Sequence, residues 1–254
     1  MRVAATDDGM IEGLRRDRPA FLASVTNAAE AEMAFRGGAG IIDCKDPATG
    51  ALGALDAGAV RDIVEVISGR VPVSATIGDL PAEADAMVPA AVIMAATGVD
   101  IVKIGFFGDR DPRPAIVALG REKQPSTQLV AVLMADSNPD FSLLPILAAH
   151  GFAGAMLDTA DKSAGRLTTV LSNDRLAEFV RAAAANGLSS GLAGSLQRDD
   201  IAGLARLNPD VLGFRGALCA SGRVSGLDPK KLTAVRYEFE RARSASAARE
   251  KSVA

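Results

Sequence analysis

Short apolar runs recur along the chain, each followed by a stretch with helical spacing. Residues 21–25, 41–45, 71–78, 101–105, 129–134, 154–159, 189–195 and 211–216 form these runs. They are mostly continuous rather than alternating, the pattern of parallel strands buried on both faces. Between them, Asn27 is placed to cap a helix over residues 28–36 that Gly37 and Gly38 end. Val60, Ile63, Val64 and Ile67 fall at helical spacing in a helix opened by Asp56 or a neighbour. Residues 82–97 form a largely apolar helix, which predicts burial against neighbouring elements or a partner chain. Further helices are expected from Asp111-Pro112, over 141–149, from a cap at Asn173 or Asp174 to Asn186, over 198–207, and from Asp228-Pro229 onward.

Eight strand–helix units in roughly 230 residues, with no linker or composition break, predict an α/β fold made of a single (β/α)8 TIM barrel. The main rival is an open doubly wound sheet, but no Gly-x-Gly-x-x-Gly turn follows the first strand. Residues 19–245 are assigned to the barrel, 1–18 to a flexible N-terminal extension and 246–254 to a frayed C-terminal tail.

Such barrels build their active sites at the C-terminal strand ends. Three of the seven lysines, Lys45, Lys103 and Lys162, fall at or just past the ends of strands two, four and six. Alternation along a strand puts Asp43 and Lys45 on one face, so Asp43 is expected to position the Lys45 amine. Alternate strands share a layer, so Lys45, Lys103 and Asp158 are expected to converge. Crowded cations lower one another's pKa, and a neutral lysine can attack an aldehyde or ketone to form a Schiff base. Asp158 is then placed to move protons. The bland alternative is a set of half-buried salt bridges.

Strands seven and eight end in Gly194-Ser195 and Arg215-Gly216-Ala217, where barrels commonly hold phosphate on backbone N–H groups. Ser195 adds a hydroxyl and Arg215 a fork of donors if it faces the site. Tight turns alone would account for the same glycines.

Composition narrows the picture without changing it. The chain of 254 residues is 48% hydrophobic with a formal charge of -3, which calls for neither nucleic acid nor an anionic membrane. Cys44 and Cys219 fit reduced thiols, with Cys44 packed outward from the barrel axis. There is one histidine, His150 at a helix end, and no Cys or His spacing that suits a metal. No apolar run is long enough for a membrane span and the N-terminus lacks a leader-like core, so a cytoplasmic protein is expected.

The strand ends closely resemble one known family. Asp43-Cys44-Lys45-Asp46-Pro47 with Gly50-Ala51-Leu52-Gly53, Ser74 to Asp79, Val102 to Gly105, Met156 to Ala160 with Lys162, Leu192 to Ser195 and Arg215 to Ala217 are similar to the (5-formylfuran-3-yl)methyl phosphate synthases. The resemblance spans about residues 21–240. It implies a lyase of methanofuran or methylofuran biosynthesis that condenses two glyceraldehyde 3-phosphate molecules, with loss of phosphate and water and without metal or organic cofactor. It places the Schiff base on Lys45 and further catalytic roles on Lys103, Lys162 and Asp158. A homo-oligomer with a small-molecule substrate is expected. A class I aldolase on another sugar phosphate and a non-catalytic phosphosugar-binding barrel are the alternatives.

Overall fold

The computed structural model describes residues 19–161 and 165–253, with side chains described to residue 245. The strands are β1 (Ala20–Val25), β2 (Ile41–Cys44), β3 (Val73–Thr76), β4 (Ile101–Phe106), β5 (Gln128–Met134), β6 (Gly154–Asp158), β7 (Ser189–Leu192) and β8 (Val211–Phe214). All are parallel, and β8 pairs with β1 to close the barrel in chain order. The fold expected from the repeat is the fold observed. The extension expected over residues 1–18, and Lys162, lie outside the described residues.

Continuous apolar strands follow from two packed faces. Outward residues such as Phe21, Ala23, Ile42 and Cys44 join the large core between sheet and helices. Inward residues such as Leu22, Ile41, Val132, Met134 and Met156 fill the barrel itself. Each strand therefore buries both sets of side chains, and no polar alternation is left to read.

The helices are α1 (Ala28–Arg36), α2 (Ala57–Ile67), α3 (Ala84–Ala95), α4 (Arg113–Arg121), α5 (Leu144–Ala149), α6 (Leu167–Val170), α7 (Asn173–Ala185), α8 (Ile201–Ala205) and α9 (Pro229–Val253). Asn27 and Asp56 cap α1 and α2 through their side chains, as expected. Asn173 and Asp174 are instead inside the first turn of α7, and Ser172 is the cap, its Oγ accepting from Arg175 N. Ser172 holds extended backbone, as an N-cap requires, so the boundary lies one residue earlier than the Asn/Asp signal suggests.

α3 buries one face within the chain and leaves another open. Met87, Ala91 and Met94 face the barrel, but Val92 and Ile93 are 38% and 60% exposed in the single chain. α9 docks across the barrel wall, where Phe239 stacks on Phe21 with ring centroids 5.2 Å apart. Among the described residues no helix is long and apolar enough to cross a membrane.

Candidate active site

The C-terminal mouth of the barrel holds a cavity of about 140 Å³. Its wall includes Asp43, Lys45, Lys103 and Asp158, the four groups that strand alternation and the two-strand layering point inward. All four are at least nine-tenths buried.

Two ion pairs organise them. Lys45 Nζ lies 3.2 Å from Asp158 Oδ2, linking the ends of β2 and β6 across the axis. The other Asp158 oxygen accepts from Thr159 N at 2.7 Å, which fixes the carboxylate plane. Lys103 Nζ lies 2.8 Å from Asp43 Oδ1. The Asp43 side chain is fully buried and also accepts from Ser74 Oγ at 2.7 Å and Ser24 Oγ at 2.8 Å.

Asp43 was expected beside the Lys45 amine, and that expectation is corrected. Both point to the same face, but the carboxylate takes Lys103 from two strands away. Its neighbours in register, Ser24 on β1 and Ser74 on β3, point the same way and donate from either side. The paired serines were missed in the sequence. Their signal was a serine in each of two apolar strands, legible only once the register with Asp43 is known.

Gly194 and Ser195 line the cavity with φ values of 109° and 51°. The left-handed backbone matters at Gly194, where a Cβ would stand 3.1 Å from both Thr159 N and its methyl carbon. No N–H of Gly194, Ser195 or Leu196 donates to an acceptor among the described residues. A row of unpaired donors beside a half-turned backbone is an anion-binding arrangement. Gly216 lines the same cavity, whereas Ala217 faces the adjacent groove toward α9.

The Arg215 side chain is the second correction. Its five N–H donors are all committed: Nε to the Arg223 carbonyl, Nη1 to Glu30 Oε2 and the Ser24 carbonyl, Nη2 to Glu30 Oε1 and the Ser225 carbonyl. No donor is left for a ligand. Burial alone would raise the Glu30 carboxyl, but the hydrogen bonds from Arg215 and Thr26 hold it below the usual carboxylate range. The guanidinium is thus a buried clamp between β8, α1 and the loop after β8.

Two aspartates absent from the expected site hold its loops. Asp79 accepts from Ala51 N and Leu52 N, both at 2.7 Å, and ties down the loop after Lys45. Leu52 then caps the barrel over Gly105, where a Cβ would stand 2.5 Å from the Leu52 methyl. Asp136 accepts from Ala160 N at 2.9 Å and Asp161 N at 2.7 Å, the backbone that follows Asp158. Cys44 is buried in the outer core, where loss of solvent pushes its thiol well up. His150 Nδ1 sits 2.9 Å from the Ile146 carbonyl at the end of α5, outside the cavity. Among the described residues no group of three His, Cys, Asp or Glu side chains is placed to hold a metal ion.

Fold and site define a (β/α)8 barrel with a buried lysine–carboxylate centre at its C-terminal mouth. Solved structures with the same fold include phosphoribosyl anthranilate isomerase from Thermus thermophilus, at 17% identity and a TM-score of 0.63 over 87% of this chain and 98% of that one. Another is 3-keto-L-gulonate-6-phosphate decarboxylase from Vibrio cholerae, at 13% identity and a TM-score of 0.63 over 88% and 98%.

The family model of 4-HFC-P synthase matches residues 21–236, and the chain belongs to that family. A Methylorubrum extorquens protein provisionally called (5-formylfuran-3-yl)methyl phosphate synthase is 45% identical, over 83% of this chain and 87% of its own. The (5-formylfuran-3-yl)methyl phosphate synthases of Methanopyrus kandleri and Methanosarcina acetivorans are 38% and 34% identical, over 81% and 80% of this chain and 91% of each of theirs. The protein is therefore an enzyme of the synthase kind.

Proposed function

We propose that the protein condenses two glyceraldehyde 3-phosphate molecules into (5-formylfuran-3-yl)methyl phosphate through an imine on Lys45. The observation that carries this reading is the pair of buried lysine–carboxylate contacts in one cavity that also presents unpaired backbone N–H groups.

In this reading a Lys45 proton passes to Asp158 Oδ2, and the amine attacks the carbonyl carbon of the first triose phosphate. Asp158 returns that proton to the departing hydroxyl, so that loss of water gives the imine, and the regenerated carboxylate removes the adjacent carbon-bound proton to give an enamine. The enamine carbon attacks the aldehyde of the second triose phosphate. Elimination of one phosphate, ring closure through a hydroxyl oxygen, dehydration and hydrolysis of the imine release the furan and restore Lys45. Overall, two triose phosphates yield one product, one phosphoric acid and two waters. No oxidant or reductant is consumed.

Lys103 is held by Asp43, whose carboxylate two serine hydroxyls fix in turn, which suits a fixed cation facing the departing phosphate. Lys162, which the family resemblance counts among the catalytic residues, is the other candidate for this charge-stabilising role. The retained phosphate is read onto the N–H groups of residues 194–196 and the loop at Gly216. The test is to mix the purified protein with glyceraldehyde 3-phosphate alone. Growth of furan-aldehyde absorbance with equimolar phosphate release is expected. Release of neither would refute the reading, and carbon–carbon bond formation without phosphate release would favour a simple aldolase.

A further inference from the structure

Among the described residues, the arginine at the cavity wall with donors to spare is Arg223, not Arg215. The chain leaves β8, turns at Gly216 and makes a strap whose ends meet in an antiparallel bridge between Cys219 and Leu227. Lys231 Nζ holds the base of the strap by donating to the Cys219 and Ala220 carbonyls, at 2.6 and 3.1 Å. Glu30 Oε1 accepts from Leu227 N at 3.2 Å on the far side. The Arg215 guanidinium supports the strap from below, donating to the carbonyls of Arg223 and Ser225, both at 2.9 Å.

This scaffold carries the half-buried Arg223 to the cavity wall, opposite a loop from another strand. Its Nη2 donates to the Gly50 carbonyl at 2.8 Å, bridging to the loop that Asp79 holds behind Lys45. That is its one side-chain hydrogen bond among the described residues, which offer no acceptor to four of its five donors. No carboxylate pairs with it among those residues. A guanidinium backed by a carbonyl lattice, spanning two active-site loops and lining a cavity with unpaired N–H groups, is a pre-organised site for a dianion.

We infer that Arg223 is the side-chain ligand of a substrate phosphate, positioned by the buried Arg215–Glu30 pair, and that its bridge to Gly50 couples phosphate capture to the loop behind Lys45. The assignment rests on the proposed reading that the cavity takes phosphate esters. Arg215 is then a positioning residue, acting only through the strap.

The experiment uses the full-length protein and three measurements: calorimetric titration with inorganic phosphate, KM and kcat with glyceraldehyde 3-phosphate, and borohydride trapping of glyceraldehyde, which lacks phosphate. Loss of a charge-assisted pair predicts that Arg223→Gln weakens phosphate binding about 10- to 100-fold, with a matching rise in KM. Arg223→Lys is expected to fall between the two. The trapping yield with glyceraldehyde is expected to hold. Unchanged phosphate affinity in Arg223→Gln overturns the assignment, as does a parallel loss of glyceraldehyde trapping, which would reduce the residue to a strut. A wild-type protein that binds phosphate through Arg223 but makes no furan would sink the proposed reaction and leave the phosphate ligand standing.

Discussion

Asp43→Asn tests the electrostatic core of the site. The substitution keeps size and removes one charge from a fully buried carboxylate whose partner, Lys103, is 5% exposed at its side chain. Solvent cannot screen the stranded ammonium, so the cost follows that of breaking a buried pair, about 3–5 kcal/mol. Ser24 and Ser74 can still bond the amide, so the lower end of that range is expected, about 3 kcal/mol. The chain has no tryptophan, so urea unfolding is followed by far-ultraviolet circular dichroism. The double variant Asp43→Asn with Lys103→Met should recover most of the loss, because it removes the stranded charge. A deficit under about 0.5 kcal/mol would refute the claim that this pair is a dry, coupled unit.

Three further outcomes follow from the same geometry. Lys45→Arg keeps a cation beside Asp158 but cannot form an imine, so furan formation should fall roughly 1,000-fold or more and borohydride trapping should vanish; near-full turnover would remove Lys45 from the chemistry. Glu30 is held below the usual carboxylate range, so it contributes stability that is present above the unfolded pKa of about 4.3 and is lost as pH falls through the lower folded value. Glu30→Gln should lower the unfolding midpoint near neutral pH and flatten its acid limb, and an unaltered acid limb would contradict the clamp. Asp79→Asn weakens both bonds that hold residues 51 and 52, and should raise proteolysis in the loop after Lys45 and lower kcat/KM roughly 10-fold, with little change in the unfolding midpoint; equal protease resistance would show that the loop is held elsewhere.

The eight-fold repeat and the inward lysines were legible because they are local. Strand alternation decides which face Lys45, Lys103 and Asp158 take, and a run of buried apolar residues marks each strand without reference to any other. Family motifs at the strand ends added the chemistry. Partner choice was not legible. Lys45 and Asp158 are 113 residues apart, and Arg215 and Glu30 are 185 apart. Such pairs depend on how strands are staggered around the barrel, which no single strand encodes. Ser24, Asp43 and Ser74 share one register level, while Lys103 stands level with Thr76, so its long side chain reaches down to a carboxylate two strands away.

The same division explains the two arginines. In sequence Arg215 has the better position, between a strand end and a glycine turn. Only the closed barrel sets Glu30 of α1 beneath it, and a buried carboxylate takes the guanidinium before any ligand can. Arg223, in a polar loop with no periodicity, carried no signal at all until Arg215 and Lys231 fixed the strap that holds it. Composition and periodicity determined the barrel and the mouth where the lysine–carboxylate centre sits. Tertiary closure decided which charges neutralise one another and which remain for substrate, because long-range Coulomb and hydrogen-bond pairing is settled only by distance in space.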